Sequence, residues 1–347
     1  MNNIDPVLRE DLERIAAGFP HWEQLRGKRV LITGATGLVG SMLVRTLCAA
    51  PVEVTVLAHV RNAQKARAMF CDLPIEYVIG DVAAPICYEG PVDLIFHTAS
   101  VTASKTFVTA PVETLMTAID GTRNLLEFAR EKKAGGMVYV SSMEAFGITD
   151  PGLDRVTETD LGYIDILNVR SSYSEGKRIC ECLCAAYAAE YGVNVRIARL
   201  AQTFGAGVSR TDGRAFAQFA KSCLAGEDIV LHTAGKSMGN YCYTADAVRG
   251  LLTIALLGEN GQAYTVANES TAMPIRDVAQ LVSDTLTGGK TKIIFDIPES
   301  ALTYGYAPDV TMRLSAQKLR ALGWEPSVDL PEMFRRLAAS FRAQGEA

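Results

Sequence analysis

Residues 28–40 have the sequence KRVLITGATGLVG, and this stretch decides the fold of the chain. The apolar run Arg29–Thr33 predicts a buried strand, and a helix is predicted to begin at Leu38. Between them, glycines allow a tight turn and let a pyrophosphate approach the backbone N–H groups at the helix N-terminus. Because the turn follows a strand and precedes a helix, it predicts a dinucleotide site rather than a structural turn alone. The residues expected to hold the dinucleotide here are Gly34, Thr36, Gly37, Leu38, Val39 and Gly40.

Strands and helices alternate around this stretch. Further strands are predicted at Glu53–Leu57, Ile75–Ile79, Leu94–His97, Met137–Ser141 and Asn194–Leu200. Helices are predicted at Leu38–Ala50, Ala63–Phe70, Val112–Lys132 and Tyr173–Tyr191. Short apolar strands that alternate with helices indicate an α/β fold built on a doubly wound parallel (Rossmann) sheet.

The alternation breaks after residue 202, where loops rich in Gly, Ser and Thr begin. The chain is expected to rejoin the sheet near 240–268, with a strand at Tyr264–Ala267. Residues 5–19 predict an amphipathic helix that packs on the domain or on a second subunit. We therefore expect three parts, which are an N-terminal helical extension at 1–27, a Rossmann dinucleotide-binding domain at 28–202 and a mostly substrate-binding C-terminal lobe at 203–347.

The composition argues against several classes of protein. A net charge of −5 argues against nucleic acid as the main partner. No apolar run reaches the ~18 residues that a membrane-spanning helix needs, and the N-terminal segment carries acids rather than the apolar core of a signal peptide. The eight cysteines lack the paired spacing of a zinc site, so we expect no metal and small buried thiols in a reducing cytoplasm.

A predicted catalytic set lies downstream of the turn. Tyr173 and Lys177 are four residues apart on a predicted helix and therefore share one face. An unperturbed tyrosine has a pKa of about 10 and is a poor base, but a lysine ammonium and the positive nicotinamide ring favour the phenolate. Tyr173 is predicted to take a proton from a sugar hydroxyl, while Ser142, at the end of a strand, binds the same oxygen. Glu144 is predicted to face the sugar ring as a second acid/base, or alternatively to be a solvated loop residue.

The choice between NAD and NADP stays open at this point. NAD-specific sites usually carry Asp or Glu about 20 residues after the glycines, but the second strand ends in Val56–Asn62 without an acid. Arg61 either faces a 2′-phosphate, which favours NADP, or is an exposed arginine at a helix start.

Asp81 is predicted to accept a hydrogen bond from the adenine, or alternatively to cap the end of the third strand. His97 is expected to pack or to lie beside the cofactor. The predicted contacts at the adenosine end of the cofactor are Arg61, Asn62, Asp81 and Val82.

With these residues in place, the chain resembles the extended short-chain dehydrogenases, the NAD-dependent epimerase/dehydratase family, from about Lys28 to Pro326. The glycine-rich turn, the Ser141–Gly147 segment and the Tyr173/Lys177 pair match that family in order and spacing. Within the family the chain looks most like the UDP-glucuronate decarboxylases, in segments that include His97–Ser100, Arg170–Arg178, Thr203–Gly205, Asp212–Arg214 and Gly323–Pro326.

The resemblance implies roles for individual residues. It makes Tyr173 the base, Ser142 its hydrogen-bonding partner and Lys177 a ribose ligand, and it places Glu144 at the position of a catalytic glutamate. It implies that NAD, with NADP as the alternative, is also lined by Thr98, Ala99, Ser100, Tyr173 and Lys177. It implies a nucleotide-sugar substrate, for which the expected contacts are Ser100, Lys105, Ser142, Gln202 and Arg214.

The chain departs from the decarboxylases at several positions. Gly239 stands where they carry an arginine, and Gly305–Ala307 stand where further arginines precede the Pro308-Asp309 pair. The resemblance leads us to expect asparagines at two positions where this chain has Ala118 and Gln202. Met143 stands where the 4,6-dehydratases carry an aspartate, which disfavours plain dehydration. The candidates for contacts with a pyrophosphate are Arg210, Arg214, Lys221 and Arg313. Each of them is equally well explained as a surface charge.

Three functional hypotheses follow. The first is internal redox catalysis through a transient 4-keto sugar, with decarboxylation or a related uronate reaction ranked before 4-epimerisation and dehydration. The second is an NADPH-dependent reductase of a ketosugar or other carbonyl compound, which Arg61 and the missing acid motivate. The third is a non-enzymatic dinucleotide-sensing scaffold, against which the intact Ser142, Tyr173 and Lys177 argue. The resemblance also implies a homodimer, because the helices at 112–132 and 173–191 match a four-helix dimer interface.

Overall fold

The computed structural model describes residues 4–297 and 309–345. Its strands are β1 (Lys28–Thr33), β2 (Val54–Val60), β3 (Ile75–Ile79), β4 (Leu94–His97), β5 (Gly136–Ser142), β6 (Val195–Leu200), β7 (Gln202–Phe204), β8 (Ile229–Leu231), β9 (Met238–Tyr243), β10 (Ala263–Val266), β11 (Asn268–Pro274) and β12 (Ile293–Phe295). Its helices are α1 (Pro6–Gly18), α2 (Leu38–Cys48), α3 (Ala63–Met69), α4 (Ser104–Thr109), α5 (Pro111–Lys132), α6 (Ser171–Tyr191), α7 (Ala215–Ala225), α8 (Thr244–Leu257), α9 (Ile275–Thr287), α10 (Gln317–Arg320) and α11 (Leu330–Gly345).

The centre of the molecule is a seven-stranded parallel sheet with the order β10-β6-β5-β4-β1-β2-β3. The chain moves from β1 towards β3 in one direction and from β4 towards β10 in the other. Between β1 and β4 the strand order therefore reverses, and an open parallel sheet binds ligands in the crevice at such a point. This confirms the predicted doubly wound α/β fold.

The register of the sheet brings the ends of three strands together at this crevice. Thr33 of β1 lies opposite His59 of β2 and His97 of β4. The His97 ring is buried, with Nδ1 2.8 Å from the Thr33 hydroxyl oxygen and Nε2 3.3 Å from that of Thr122. Burial lowers the pKa of His97 to about 3, so the ring is neutral at physiological pH. His97 thus packs beneath the crevice, as the sequence suggested.

Two smaller sheets follow in the C-terminal part of the chain. One has the order β11-β9-β7, with β7 parallel and β11 antiparallel to β9, and the other joins β8 to β12. The chain does return to the main sheet after residue 203, because β10 pairs in parallel with β6. The boundaries proposed for three domains stay predictions.

The helix α1 packs on the domain itself, against α2, α8 and α11. Asp11 of α1 is buried, and its carboxylate lies 2.9 Å from the guanidinium of Arg336 in α11. The Tyr243 hydroxyl donates a hydrogen bond of 2.5 Å to the same carboxylate. A buried ion pair therefore joins the N-terminal and C-terminal helices.

Some sequence predictions need correction. The strand β2 runs three residues beyond the predicted end at Leu57, to Val60, and the six-residue helix α4 was not predicted. The cysteines are all free, but Cys71, Cys87 and Cys182 are exposed rather than buried, because they face outward from a turn, a loop and a helix surface. Among the described residues no cluster of side chains is suited to a metal ion, and none of the helices there has the length and apolar character to cross a membrane.

Candidate active site

The carboxyl end of β5 carries the predicted Ser142 and Glu144 into the crevice region. The strand ends at Ser142, and a single 3-10 turn, Met143–Phe146, follows it. The Ser142 hydroxyl oxygen accepts a hydrogen bond of 3.2 Å from the Glu144 backbone N–H, so it caps this turn. The main chain leaves the turn through Gly147, whose φ of +68° lies in the region that favours glycine. The turn places Ser142 and Glu144 side by side.

The helix α6 brings Tyr173 and Lys177 to the same place, one helical turn apart. The Lys177 Nζ donates a hydrogen bond of 2.9 Å to the carbonyl oxygen of Val140 in β5. It also lies 5.7 Å from the ring centre of Tyr173. Ser142 lies close enough to Tyr173 for its hydroxyl to lower the pKa of the phenol. The structure thus brings all four residues of the predicted catalytic set together.

Burial shifts the pKa values of both helical residues away from the charged forms. Burial, helped by the negative charge of Glu144, raises the pKa of Tyr173 to about 12, against the hydrogen bond from Ser142 and the charges of Arg214 and Arg170. Burial lowers the pKa of Lys177 to about 8. The resting protein therefore holds a neutral phenol, and a further positive charge nearby is needed before Tyr173 can act as a base near neutral pH.

Glu144 has partners that the sequence did not indicate. The Arg170 guanidinium donates two hydrogen bonds to it, from Nη1 to Oε2 at 2.7 Å and from Nη2 to Oε1 at 3.0 Å. The Ser174 hydroxyl donates a third, of 3.1 Å, to Oε2. Glu144 is therefore not a solvated loop residue. The sequence signal that could have indicated the Arg170–Glu144 contact is the position of Arg170 in the segment Arg170–Arg178, which resembles the decarboxylases.

Two more residues, one on α4 and one on α6, support the catalytic set. The ring of Phe107 stacks on that of Tyr173, with the centres 4.3 Å apart and the planes 8° from parallel. The Arg178 guanidinium donates hydrogen bonds to the carbonyl oxygens of Ala145 (2.7 Å), Phe146 (3.1 Å) and Gly162 (2.6 Å). Arg178 thus fixes the backbone that carries Glu144.

A buried ion pair lies behind the same strand end. The Ser141 hydroxyl donates a hydrogen bond of 2.5 Å to Glu181 of α6, and Glu181 accepts further bonds from Arg199 of β6, the shortest of them 2.7 Å. The Arg199 Nη1 also donates to the Glu158 carbonyl oxygen at 2.8 Å. This network ties β5, β6 and α6 together directly behind Ser142.

The glycine-rich turn has the shape of a dinucleotide cradle. The Gly34 backbone has a φ of +63°, and a Cβ atom on Gly34 would lie 2.7 Å from the Ala99 backbone nitrogen. The helix α2 begins at Leu38 with Gly37 as its N-cap, and no side chain caps its first N–H groups. Free N–H groups at a helix N-terminus suit the pyrophosphate of NAD. The residues present therefore fit the cofactor, with Thr36 in the turn and Val39 and Gly40 in the first turn of α2.

The segment after β4 lies against this turn. The Thr98 hydroxyl donates to the Thr33 carbonyl oxygen at 2.7 Å, and the Ala99 N–H donates to the Thr33 hydroxyl oxygen at 3.3 Å. Ser100 follows, with its hydroxyl 3.3 Å from the Val101 carbonyl oxygen. The predicted cofactor residues Thr98, Ala99 and Ser100 are thus next to the glycines in space.

The residues expected at the adenosine end also lie together. The Arg61 guanidinium is 3.7 Å from the Asp81 carboxylate, and both side chains are largely exposed. Asp81 also accepts a 2.9 Å hydrogen bond from the Ala83 N–H, so it caps a turn. The Asn62 side chain caps α3 by accepting from the Lys65 N–H. Val82 is buried, and its carbonyl oxygen accepts from Asn124, a contact that the sequence did not predict. Their cofactor roles stay predictions.

The candidate substrate residues are less closely grouped. Arg214 lies near enough for its charge to lower the pKa of Tyr173, and Asp212 binds its guanidinium, with the shortest distance 2.6 Å. Gln202 begins β7 and is exposed, and Lys105 is exposed on α4. Ser100 follows the segment that contacts the glycine-rich turn, and Ser142 ends β5.

The other predicted cations are engaged in the C-terminal part of the chain. Lys221 donates to the Arg210 and Asp212 carbonyl oxygens, and Arg210 donates to that of Phe341. Arg313 is exposed. The departure noted at Gly305–Ala307 and Pro308 lies outside the described residues.

The departure at Gly239 has a structural counterpart. A Cβ atom on Gly239 would lie 3.2 Å from the Met143 Cε. Met143 is buried in an apolar cluster with Phe146, Val156 and Leu314. The methionine and the glycine together leave an apolar contact between β9 and the turn after β5, where the decarboxylases were expected to carry an arginine.

Comparison with known proteins agrees with this geometry. The model of the family described as "NAD dependent epimerase/dehydratase family" matches residues 30–268. The chain belongs to this family. Members of the epimerase/dehydratase family use NAD, and this chain is accordingly an NAD-dependent enzyme of the epimerase/dehydratase type.

Relatives within the family include two decarboxylases. The chain is 31% identical over 329 residues to UDP-glucuronic acid decarboxylase 1 of Xenopus tropicalis, covering 92% of this chain and 73% of the relative. It is 32% identical over 316 residues to UDP-glucuronic acid decarboxylase 4 of Arabidopsis thaliana, covering 90% of this chain and 68% of the relative.

Solved structures of the family share the fold. A UDP-glucuronic acid 4-epimerase of Bacillus cereus, solved with UDP-glucuronic acid and NAD, has a TM-score of 0.75 at 17% identity and covers 91% of this chain and 99% of its own. A dTDP-glucose 4,6-dehydratase of Streptomyces venezuelae has a TM-score of 0.75 at 22% identity and covers 92% of this chain and 98% of its own. At these identities the likeness concerns the fold.

Proposed function

We propose that this protein is an NAD-dependent enzyme that modifies a nucleotide-activated sugar through a transient 4-keto intermediate, in the manner of a UDP-glucuronate decarboxylase. The observation that carries the proposal is the position of Glu144, an anchored carboxylate beside Ser142 and Tyr173. A simple dehydrogenase needs the Ser–Tyr–Lys set but has no use for this second acid. Relatives named UDP-glucuronic acid decarboxylase, about 30% identical, support the same assignment.

The chain's own residues supply the proton chemistry at the sugar 4-hydroxyl. NAD, when bound on the cradle of Gly34, Gly37 and Gly40, supplies the redox chemistry that turns this hydroxyl into a ketone and back. Tyr173 accepts the hydroxyl proton during oxidation and returns a proton during reduction. Ser142 holds the same oxygen through a hydrogen bond. The Lys177 ammonium, 5.7 Å from the Tyr173 ring centre, stabilises the phenolate that this transfer requires.

The ketone at carbon 4 makes a carboxylate at carbon 6 a β-keto acid. Its C5–C6 bond breaks with release of carbon dioxide, and the bonding electrons move into the carbonyl group as an enolate. Protonation at carbon 5 then restores the ketone before reduction. Glu144, anchored beside Ser142 and Tyr173, is the second acid/base that can exchange a proton with the sugar ring.

Epimerisation and elimination share the first oxidation, so fold and catalytic set alone do not separate them. Elimination of water needs an acid to protonate the departing hydroxyl, and the buried Met143 cannot provide one. We therefore place 4-epimerisation after decarboxylation, and dehydration last.

Incubation of the purified enzyme with a panel of nucleotide sugars, read by mass spectrometry, tests the proposal. Loss of carbon dioxide from a nucleotide uronate is the expected result. Loss of water, or an unchanged mass with altered stereochemistry, would replace decarboxylation by dehydration or epimerisation. The Tyr173→Phe variant serves as the control, and it should bind NAD normally while losing about 10²- to 10⁴-fold in turnover.

A second candidate is an NADPH-dependent reductase of a ketosugar or another carbonyl compound. The observation that favours it is Arg61, an exposed cation after a strand β2 that ends without an acid. A reductase consumes one NADPH for each product molecule, whereas internal redox catalysis has no net consumption. Absorbance at the NADPH band during turnover therefore separates the two functions.

We further propose that the enzyme is a homodimer joined through α5 and α6. These two helices pack against each other, and their surface exposes Val112, Met116 and Ile179. Exposed apolar side chains on a pair of packed helices favour a subunit interface there. Light scattering is expected to give twice the chain mass, and a monomer would overturn the proposal.

The cytoplasm is the proposed location. The support is that all eight cysteines are free, as is typical of proteins in a reducing compartment. Cell fractionation checks this, and recovery of the protein from a secreted fraction would contradict it.

A further inference from the structure

The Arg170 guanidinium contacts two parts of the candidate active site at once. Its edge binds Glu144 through Nη1 and Nη2, at 2.7 and 3.0 Å. Its central carbon lies 5.6 Å from the ring centre of Phe107, and the same ring stacks on Tyr173 at 4.3 Å. A planar guanidinium suits this double contact, because its edge matches a carboxylate and its face packs on an aromatic ring.

The pair is well shielded from water. Only 9% of the Arg170 side chain and 25% of the Glu144 side chain are exposed. Arg170 directly precedes α6, and its backbone N–H is held by the Asn168 side chain at 3.0 Å. Bidentate bonds between charged groups are the strong ones in proteins, and they fix orientation as well as charge.

Within the part of the chain that the structure describes, the hydrogen bonds leave one acceptor position on Glu144. An ionised carboxylate oxygen has about two lone pairs. Oε2 accepts from Arg170 and from Ser174, so both of its lone pairs are engaged. Oε1 accepts from Arg170, which leaves it one lone pair. The geometry therefore directs any further bond or proton transfer of Glu144 through Oε1.

We propose that Arg170 is a positioning residue that holds the Glu144 carboxylate in one orientation, so that Glu144 acts on the reaction through Oε1. This inference rests on the proposed function, because it assigns a task to Glu144 in the same site. Arg170 acts on the reaction through Glu144, and Phe107 links its position to that of Tyr173.

A lysine keeps the charge but loses both contacts of the guanidinium. A single ammonium cannot bond both carboxylate oxygens in the same geometry, nor can it lie flat against Phe107. Arg170→Lys and Arg170→Met should therefore both lower kcat by about 10- to 100-fold, which is the loss expected for charge-assisted hydrogen bonds. The KM should stay within about 3-fold, because NAD and substrate are held by other residues. The matched control is Arg335→Met, which removes an exposed arginine bonded to Glu332 at 2.7 Å on α11 and should leave kcat unchanged.

The pairing with Glu144 is tested in a double-variant cycle. In a Glu144→Gln background, Arg170→Met should lower kcat by less than about 3-fold further, because residues that act as a unit are not additive. Guanidinium ion added to Arg170→Ala should restore part of the lost kcat, whereas ammonium should not. Wild-type turnover in Arg170→Lys, or a full additional loss in the Glu144→Gln background, would overturn the proposal.

A melting-temperature cycle provides a readout without substrate. Glu144→Gln and Arg170→Met should each lower the melting temperature, and the double variant should melt no lower than the less stable single variant. Additive losses would contradict the pairing. If the wild-type enzyme converts none of the nucleotide sugars, the proposed function fails, and this cycle still tests whether Arg170 and Glu144 are coupled.

Discussion

Gly40 lies so close to Gly34 that a Cβ atom on Gly40 would sit 2.2 Å from the Gly34 carbonyl oxygen and 2.9 Å from the Thr98 hydroxyl oxygen. No side-chain movement can relieve the first contact, because the Gly34 oxygen belongs to the backbone of the cofactor turn. The close approach of α2 to β1 thus depends on the absence of a side chain at one position.

Gly40→Ala should therefore weaken NAD binding by at least about 10-fold, because α2 must move away from the turn that holds the pyrophosphate. Calorimetric titration with NAD measures the effect. Gly18→Ala is the matched control, since nothing lies within 4 Å of a Cβ atom there. Equal affinity in the two variants would show that the turn tolerates a methyl group.

Lys177 should make stability depend on pH. Burial lowers the pKa of Lys177 from its ordinary value of 10.5 to about 8, so between these values the unfolded chain binds more protons than the folded one. Its contribution to the free energy of unfolding therefore rises with pH across this range and is most unfavourable below pH 8. Compared with Lys177→Met, the wild type should gain about 2 kcal/mol of stability between pH 7 and pH 10.

Urea unfolding of both proteins at several pH values checks this. A constant difference between wild type and variant would mean that the ammonium is solvated in the folded state. Lys290→Met, in which an exposed lysine is lost, should show no such dependence.

Removal of one partner from the buried ion pair of Asp11 and Arg336 should destabilise the fold. Asp11→Asn leaves the Arg336 guanidinium buried, with Glu10 at 2.8 Å and Glu332 at 3.7 Å as its remaining carboxylate partners. Loss of one partner of a buried pair typically costs about 3–5 kcal/mol. Because Glu10 compensates in part, we expect a loss of about 2–4 kcal/mol in the free energy of unfolding at pH 7.5. Glu10→Gln, which changes an exposed side chain, should cost less than about 1 kcal/mol by the same measurement.

Arg61 should influence the choice of cofactor. If its exposed guanidinium faces a 2′-phosphate, Arg61→Asp should weaken NADP binding by about 10-fold or more and leave NAD binding nearly unchanged. Fluorescence titration with each cofactor measures both affinities. Arg67→Asp makes the same charge change on α3, where the arginine lies over the Tyr77 ring, and should affect both cofactors alike. Failure of the wild type to bind NADP would assign Arg61 to the surface.

Much of the fold was predictable because the strands of a parallel sheet are short apolar runs with clear ends. The strands at Ile75–Ile79 and Leu94–His97 were predicted with the same bounds that the structure shows. The helix at Ser104–Thr109 was not, because six residues are too few to show a helical period. The extension of β2 to Val60 depends on pairing with β3, which no local pattern indicates.

The catalytic set was predictable for a different reason. Tyr173 and Lys177 are one helical turn apart, and the end of a strand places Ser142 at the mouth of the sheet, so spacing alone carries the geometry. The contact between Arg170 and Glu144 spans 26 residues of sequence and belongs to no period. The apolar contact of Met143 with Gly239 likewise joins segments that only the folded chain brings together.

The bond between Asp11 and Arg336 joins residues 325 positions apart. During translation the ribosome makes α1 long before α11. Asp11 therefore lacks its Arg336 partner, and α1 lacks its contact with α11, until nearly the whole polypeptide has emerged. Formation of the Asp11–Arg336 ion pair is therefore a late event in biosynthesis. In a nascent chain that stalls before residue 336, the side of α1 that packs on α11 stays uncovered, which is the kind of surface that chaperones and proteases recognise.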